Sequence, residues 1–122
     1  MSDSVRIENI LKAIGLTTVE IVDPLDHKLA VSTVKRVAAE PGVKAIIFRS
    51  PCVAITKPKA RAKVDPERCV GCRRCIDQLG CPALILDGKK AMIDTSLCTG
   101  CTLCEQICPV GAISGGDRDA QK

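Results

Sequence analysis

Apolar positions fall on two different rhythms along the chain, and the change comes near residue 60. In "VRIENILKAIG" the residues Ile7, Ile10, Leu11 and Ile14 recur at i, i+3, i+4 and i+7, the stripe of an amphipathic helix. Ser4 is the candidate N-cap and Gly15 the candidate stop of that helix. "VEIV" at 19–22 is a short β-branched run closed by Asp23-Pro24, which predicts a strand and a turn. A second helix is expected from Asp26 through "HKLAVSTVKRVAAE", with Val31, Val34 and Val37/Ala38 on one face and Pro41-Gly42 ending it. "KAIIFRS" at 44–50 predicts a second strand. Strand, helix, strand over some thirty residues is a βαβ crossover, expected to be parallel and right-handed.

Two strands and two helices are too few for a doubly wound sheet, which covers both faces with helices. Residues 1–56 therefore resemble the edge of a larger domain, whose remainder is missing from this chain or supplied by another polypeptide. The segment holds no Gly-rich phosphate loop after a strand and no nucleophile elbow. His27, the only histidine, falls where the second helix starts, and as a lone histidine it is expected to face solvent rather than do acid–base or metal work. Catalytic residues: none.

Composition changes the picture for the second half. The 122 residues include nine cysteines and one aromatic, Phe48. So few bulky side chains make a poor core, and metals or disulfides commonly fill that gap in small domains. The N-terminus has no basic stretch followed by an apolar run, and no apolar segment is long enough to span a bilayer. A cytoplasmic protein without membrane contact is expected, and in a reducing compartment cysteine clusters read as metal sites. The formal charge of +4 is concentrated: residues 57–63, "KPKARAK", carry Lys57, Lys59, Arg61 and Lys63, while the flanking parts nearly cancel. With Pro58 inside it, the stretch reads as a basic linker; no recognition element or aromatic accompanies it, so no nucleic-acid partner is expected.

From Cys69 onward the chain repeats itself. "CVGCRRCIDQLGCP" at 69–82 and "CTGCTLCEQICP" at 98–109 place Cys69, Cys72 and Cys75 exactly 29 residues before Cys98, Cys101 and Cys104. Asp65 and Gly71 map onto Asp94 and Gly100 at the same offset. The fourth cysteines, Cys81 and Cys108, are offset by 27 because the first run is two residues longer. Each is followed by proline (Pro82, Pro109). Three cysteines at two-residue intervals can wrap a loop around three corners of one iron–sulfur cubane. In bacterial two-cluster ferredoxins the run is C-x2-C-x2-C-x3-C-P, and its last cysteine ligates the other cluster. Cys98 to Cys108 fits that run to the residue. One [4Fe-4S] cluster is therefore assigned to Cys69, Cys72, Cys75 and Cys108, the other to Cys98, Cys101, Cys104 and Cys81.

Zinc would need only two ligand pairs per ion and has no use for the third cysteine or the exchanged C-P endings. Gly71 and Gly100 sit where the loop must curl, and Pro82 and Pro109 fix φ beside the fourth thiolates. "ALILDGKKAMI" predicts a hairpin about Asp87-Gly88, and "GAIS" at 111–114 can add a short strand. Two clusters at about −2 each would take the formal charge to about 0, with Arg73 and Arg74 placed close to one of them.

With both halves read, the chain resembles the C-terminal end of the large, thiamine-diphosphate-dependent subunit of indolepyruvate ferredoxin oxidoreductase. The features that carry the resemblance are "VEIVDPLD" (19–26), "FRSPCV" (48–53), "CVGCRRCIDQLGCPAL" (69–84) and "CTGCTLCEQICPVGAI" (98–113). It implies an α+β chain in four parts. Residues 1–56 are the βαβ remnant of a thiamine-diphosphate-type domain, and 57–63 are the linker. Residues 64–116 are a bacterial-type two-cluster 4Fe-4S ferredoxin domain, and 117–122 are a polar tail. The implied role is to carry electrons from 2-oxoacid decarboxylation to an external ferredoxin, in company with a larger thiamine-diphosphate-containing subunit. The thiamine motif itself does not occur; "GGD" at 115–117 is read as tail, so no thiamine diphosphate is expected to bind here. Cys52 has two readings: a small buried residue at a strand end, or, from the "SPC" context of related 2-oxoacid oxidoreductases, a ligand to a third cluster shared with another chain. The competing function is a free-standing two-cluster ferredoxin with an N-terminal docking domain.

Overall fold

A computed structural model describes residues 5–52, 55 and 60–116, and the chain divides into two compact units at Ser50/Pro51. Ser4, Lys57, Pro58, Lys59 and the polar tail lie outside the described residues.

The first unit holds α1 (Ile7–Ala13), β1 (Thr18–Val22), α2 (His27–Ala39) and β2 (Lys44–Phe48). β1 and β2 pair in parallel, from Thr18 opposite Lys44 to Val22 opposite Phe48. Arg6 occupies the N-cap position of α1 and contributes no side-chain cap. Gly15 follows the helix at φ +95°, its N–H donating to the Lys12 carbonyl at 3.0 Å, the usual glycine stop. Asp26 caps α2, its Oδ1 accepting the Leu29 N–H at 3.1 Å. His27 opens α2 and is half-buried rather than fully solvent-facing. Arg36 ties α2 to β1 through Glu20 at 2.8 Å, and Arg49 pairs with Glu8 of α1 at 2.5 Å.

The expected burial of the apolar faces is only partly realised in this unit. Val37 and Thr33 of α2 are buried with Val22 of β1, whereas Ala38 is exposed. Val31 and Val34 instead line an open groove with Ala30, Lys35 and Phe48, and Phe48 is 53% exposed. Ile7 and Ile10 of α1 and Ile14 at its C-cap are exposed as well. Two strands offer too little surface to cover two helices, so the stripes are present in the sequence and unmatched in the unit.

The second unit consists of β3 (Lys63–Val64), α3 (Arg74–Leu79), β4 (Leu84–Asp87), β5 (Lys90–Ile93), α4 (Leu103–Ile107) and β6 (Ile113–Ser114). The 29-residue repeat is a repeat of structure. β4 and β5 form the antiparallel hairpin expected about Asp87-Gly88, with Leu84 opposite Ile93. β3 and β6 form its counterpart, with Val64 opposite Ile113, each residue 29 positions from its equivalent. "GAIS" thus pairs with Lys63–Val64, a strand the sequence pattern does not announce. The last residues of the basic stretch belong to the fold: Ala62 is buried, Lys63 is in β3, and Arg61 Nη1 donates to the Thr95 carbonyl. Gly115 and Gly116 belong to it too. The Gly116 N–H donates to Glu105 Oε1 at 2.6 Å, and a Cβ there would meet the Thr102 methyl at 2.7 Å. The core is made of small residues and thiols: Ala62, Cys75, Leu84, Ala91, Cys104 and Ile113, with other cysteines packed against them.

Candidate iron–sulfur centres

Each cysteine loop is opened by the same turn. Asp65 Oδ1 accepts the Glu67 N–H at 2.9 Å, and Asp94 Oδ1 accepts the Ser96 N–H at 2.8 Å. The Ser96 hydroxyl and N–H hold the Asp94 carboxyl below the usual carboxylate range. The first cysteine of each loop then donates its N–H back to that aspartate's carbonyl, Cys69 to Asp65 at 3.0 Å and Cys98 to Asp94 at 3.1 Å. Gly71 and Gly100 both stand at φ +70°. Two residues further on, Arg73 (φ +60°) and Thr102 (φ +61°) take the same left-handed conformation and start α3 and α4. A β-branched residue there is an outlier, so the loop path is imposed by something stronger than local preference.

Both helices are a single short turn or so, and both deliver the third cysteine to the interior: Cys75 and Cys104 are buried. Burial raises the thiol pKa of Cys75. For Cys104 it does so strongly, to about 12, with the neighbouring thiols Cys101 and Cys98 adding to the rise. A thiol held in its protonated form must give up that proton to ligate a metal, so loading of this site releases protons.

Two cavities result. Cys69, Cys72, Cys75 and Cys108 line one, closed by Val64, Ala91 and Ile113 among others, with Arg73 on its wall. Cys81, Cys98, Cys101 and Cys104 line the other, with Ala62, Leu84 and Thr102. The two linings are alike in kind, four cysteines closed in by small and aliphatic residues, which suits the same kind of occupant in each. Of the two arginines placed near one cluster by the sequence, Arg73 lines the cavity, whereas Arg74 is an exposed residue in the first turn of α3.

The donor set fits an iron–sulfur cluster better than an ion. Four thiols line each cavity, three from one loop at two-residue intervals and the fourth from the other loop, which is the ligand pattern of a two-cluster ferredoxin. Backbone donors reach the sulfurs: the Gly100 N–H lies 3.4 Å from Cys98 Sγ and the Ala112 N–H 3.2 Å from Cys108 Sγ. Such N–H···S contacts stabilise thiolate and cluster charge.

Cys52 is exposed, so its reading as a buried strand-end residue is corrected: β2 ends at Phe48 and the chain has left the sheet before Cys52. Sequence reasoning overlooked Thr102. Nothing in "CTGCTLC" distinguishes it from any exposed loop threonine, and only its burial and backbone conformation single it out.

A twofold-repeated α/β unit enclosing two four-cysteine cavities defines a two-cluster 4Fe-4S protein of the ferredoxin kind. Comparison agrees: 4Fe-4S binding domains match at residues 66–84 and at 91–114. Over most of its length the chain is also similar to one larger protein, the indolepyruvate oxidoreductase subunit IorA. Identity is 40% over 117 residues with that of Archaeoglobus fulgidus, covering 90% of this chain and 19% of the relative. It is 36% over 113 residues with that of Methanothermobacter marburgensis, covering 90% and 18%. It is 36% over 118 residues with that of Pyrococcus horikoshii, covering 88% and 18%. The chain thus corresponds to the ferredoxin-bearing part of IorA, and spans about a fifth of the length of the curated relatives it matches.

Proposed function

We propose that the chain is the iron–sulfur electron-transfer module of an indolepyruvate-type 2-oxoacid ferredoxin oxidoreductase, passing electrons from oxidative decarboxylation to an external ferredoxin. The observation that carries the reading is the pair of cavities, each lined by three cysteines of one loop and the fourth of the other. When bound, each [4Fe-4S] cluster supplies a one-electron redox centre. Cys69, Cys72, Cys75 and Cys108 hold one, and Cys98, Cys101, Cys104 and Cys81 hold the other. Buried Ala62, Ala91, Leu84 and Ile113 keep water away from both.

The chain performs no decarboxylation itself. A larger thiamine-diphosphate-containing subunit does, and the first unit is the βαβ portion through which the chain joins it. The open groove of Ala30, Val31, Val34 and Phe48 and the exposed Ile7 and Ile10 support this, since exposed apolar faces commonly mark contact surfaces. Cys52, exposed beyond β2, is a ligand to a third cluster whose other ligands lie on that larger chain. Activity is placed in the cytoplasm.

Anaerobic purification of the chain from its native cells tests the reading. A larger polypeptide bearing a thiamine motif is expected to co-elute in fixed proportion. Elution alone with about eight irons would instead favour a free-standing two-cluster ferredoxin with an added domain.

A further inference from the structure

Thr102 occupies the residue after the second cysteine of its loop, where Arg73 stands in the other. It is 6% exposed, and its Oγ1 is buried without a hydrogen-bond partner. Threonine at the N-cap of a helix normally spends its hydroxyl on the first turn, yet Thr102 is the N-cap of α4 and makes no side-chain cap. Its methyl is packed where Gly116 leaves space for it, 2.7 Å from the position a Cβ on that glycine would take. The residue lines the cavity of Cys81, Cys98, Cys101 and Cys104. A buried hydroxyl left unmade is costly, and so is a β-branched residue at φ +61°. Both are retained in one side chain on the wall of a site rich in sulfur acceptors.

From this we propose that Thr102 is a potential-setting residue: its hydroxyl donates an O–H···S hydrogen bond to the cluster held by Cys98, Cys101, Cys104 and Cys81, and raises the reduction potential of that cluster alone. Hydrogen bonds to cluster and thiolate sulfur stabilise the reduced, more negative state. The equivalent position in the other loop carries a cation on the cavity wall, Arg73, whose guanidinium is largely exposed and 3.5 Å from Asp77. One repeat position therefore presents a neutral, water-shielded donor to one cluster and a solvated charge to the other. The repeat keeps the two sites alike in shape and makes them unlike electronically.

This inference rests on the assignment of two [4Fe-4S] clusters, and the test separates the two. The iron-loaded full chain is titrated with reductant under argon while the reduced clusters are followed by electron paramagnetic resonance, for the natural protein and for Thr102→Val and Thr102→Ser. Valine keeps the branching and volume but loses the hydroxyl, so one of the two midpoint potentials is expected to fall while the other holds. Serine keeps the hydroxyl, so both potentials are expected near their natural values. Should the valine variant load poorly, Thr102→Gly relieves the left-handed strain and provides the same comparison. Unmoved potentials in the variants lacking the hydroxyl, or an equal fall with serine, overturn the proposal. A natural chain that holds no [4Fe-4S] signal overturns the cluster assignment instead.

Discussion

Gly71 has no room for a side chain. A Cβ there would lie 2.4 Å from the Lys89 carbonyl oxygen, a backbone atom of the β4–β5 turn, and the residue stands at φ +70°. Gly80 also has positive φ, +57°, but a Cβ there meets nothing within 4 Å. The two positions separate strain from collision. Gly80→Ala should cost about 1–2 kcal/mol, the usual expense of the left-handed region, and leave the iron content unchanged. Gly71→Ala adds displacement of the Lys89 carbonyl and with it the loop between Cys69 and Cys72. It should therefore destabilise by more and lose about half of the iron. Denaturant unfolding and iron analysis of the two variants side by side check this. The need for glycine at 71 was legible in the sequence, since a loop turning through two cysteines so closely spaced demands it. The role of Thr102 was not, because its conformation runs against its own local preference.

The two short helices deliver one cysteine each from their interior, while the segment after each helix sends the fourth cysteine to the opposite cavity. Exchange between loops makes a sharp prediction about single substitutions. Cys81→Ser should spare the cluster of the loop that contains it and disturb the one held by Cys98, Cys101 and Cys104; Cys108→Ser should do the reverse. Paired with Thr102→Val, whose potential shift marks the second site, electron paramagnetic resonance can tell which cluster survives. Loss of the cluster from the substituted residue's own loop would refute the exchanged assignment. Most elements of this scale were readable in advance. The hairpin announced itself by Asp87-Gly88, and α2 by Asp26 and its spaced valines. β3 was not readable, because its two residues end a basic run and become a strand only by pairing with Ile113 and Ser114.

The whole chain is built around unlike sources of order. The first unit has a parallel strand pair, a capped helix and ion pairs. The second has a core in which cysteine thiols take the place of aromatic rings, and about fifty residues rarely fold on so little apolar bulk. Metal removal should therefore act on the second unit: chelation after oxidation of the clusters is expected to abolish amide protection across residues 64–116, since the free energy of binding is there the free energy of folding. Hydrogen exchange of the loaded and stripped chain measures it, and protection retained in α3, α4 and both strand pairs of the stripped form would contradict it. A change of chemistry near residue 60 was legible from the cysteine repeat, while the two compact units part earlier, at Ser50/Pro51. What could not be read was how much of the first unit's apolar surface stays open, since helical periodicity identifies a face without saying whether anything is there to cover it.

The two additional residues before Cys81 leave no mark on the sheet. Ala83 and Ala112 each stand eight positions after the third cysteine of their loop, and their carbonyls accept the N–H of Asp94 and Asp65 at 2.8 and 2.7 Å. What is inserted ahead of the fourth cysteine is removed behind its proline. The fold keeps its count from the buried thiol to the strand, and the fourth thiol is free to slide along that fixed span. Loop length can thus drift between the two halves at constant total, unseen by the hydrogen-bonded frame and felt only by the metal.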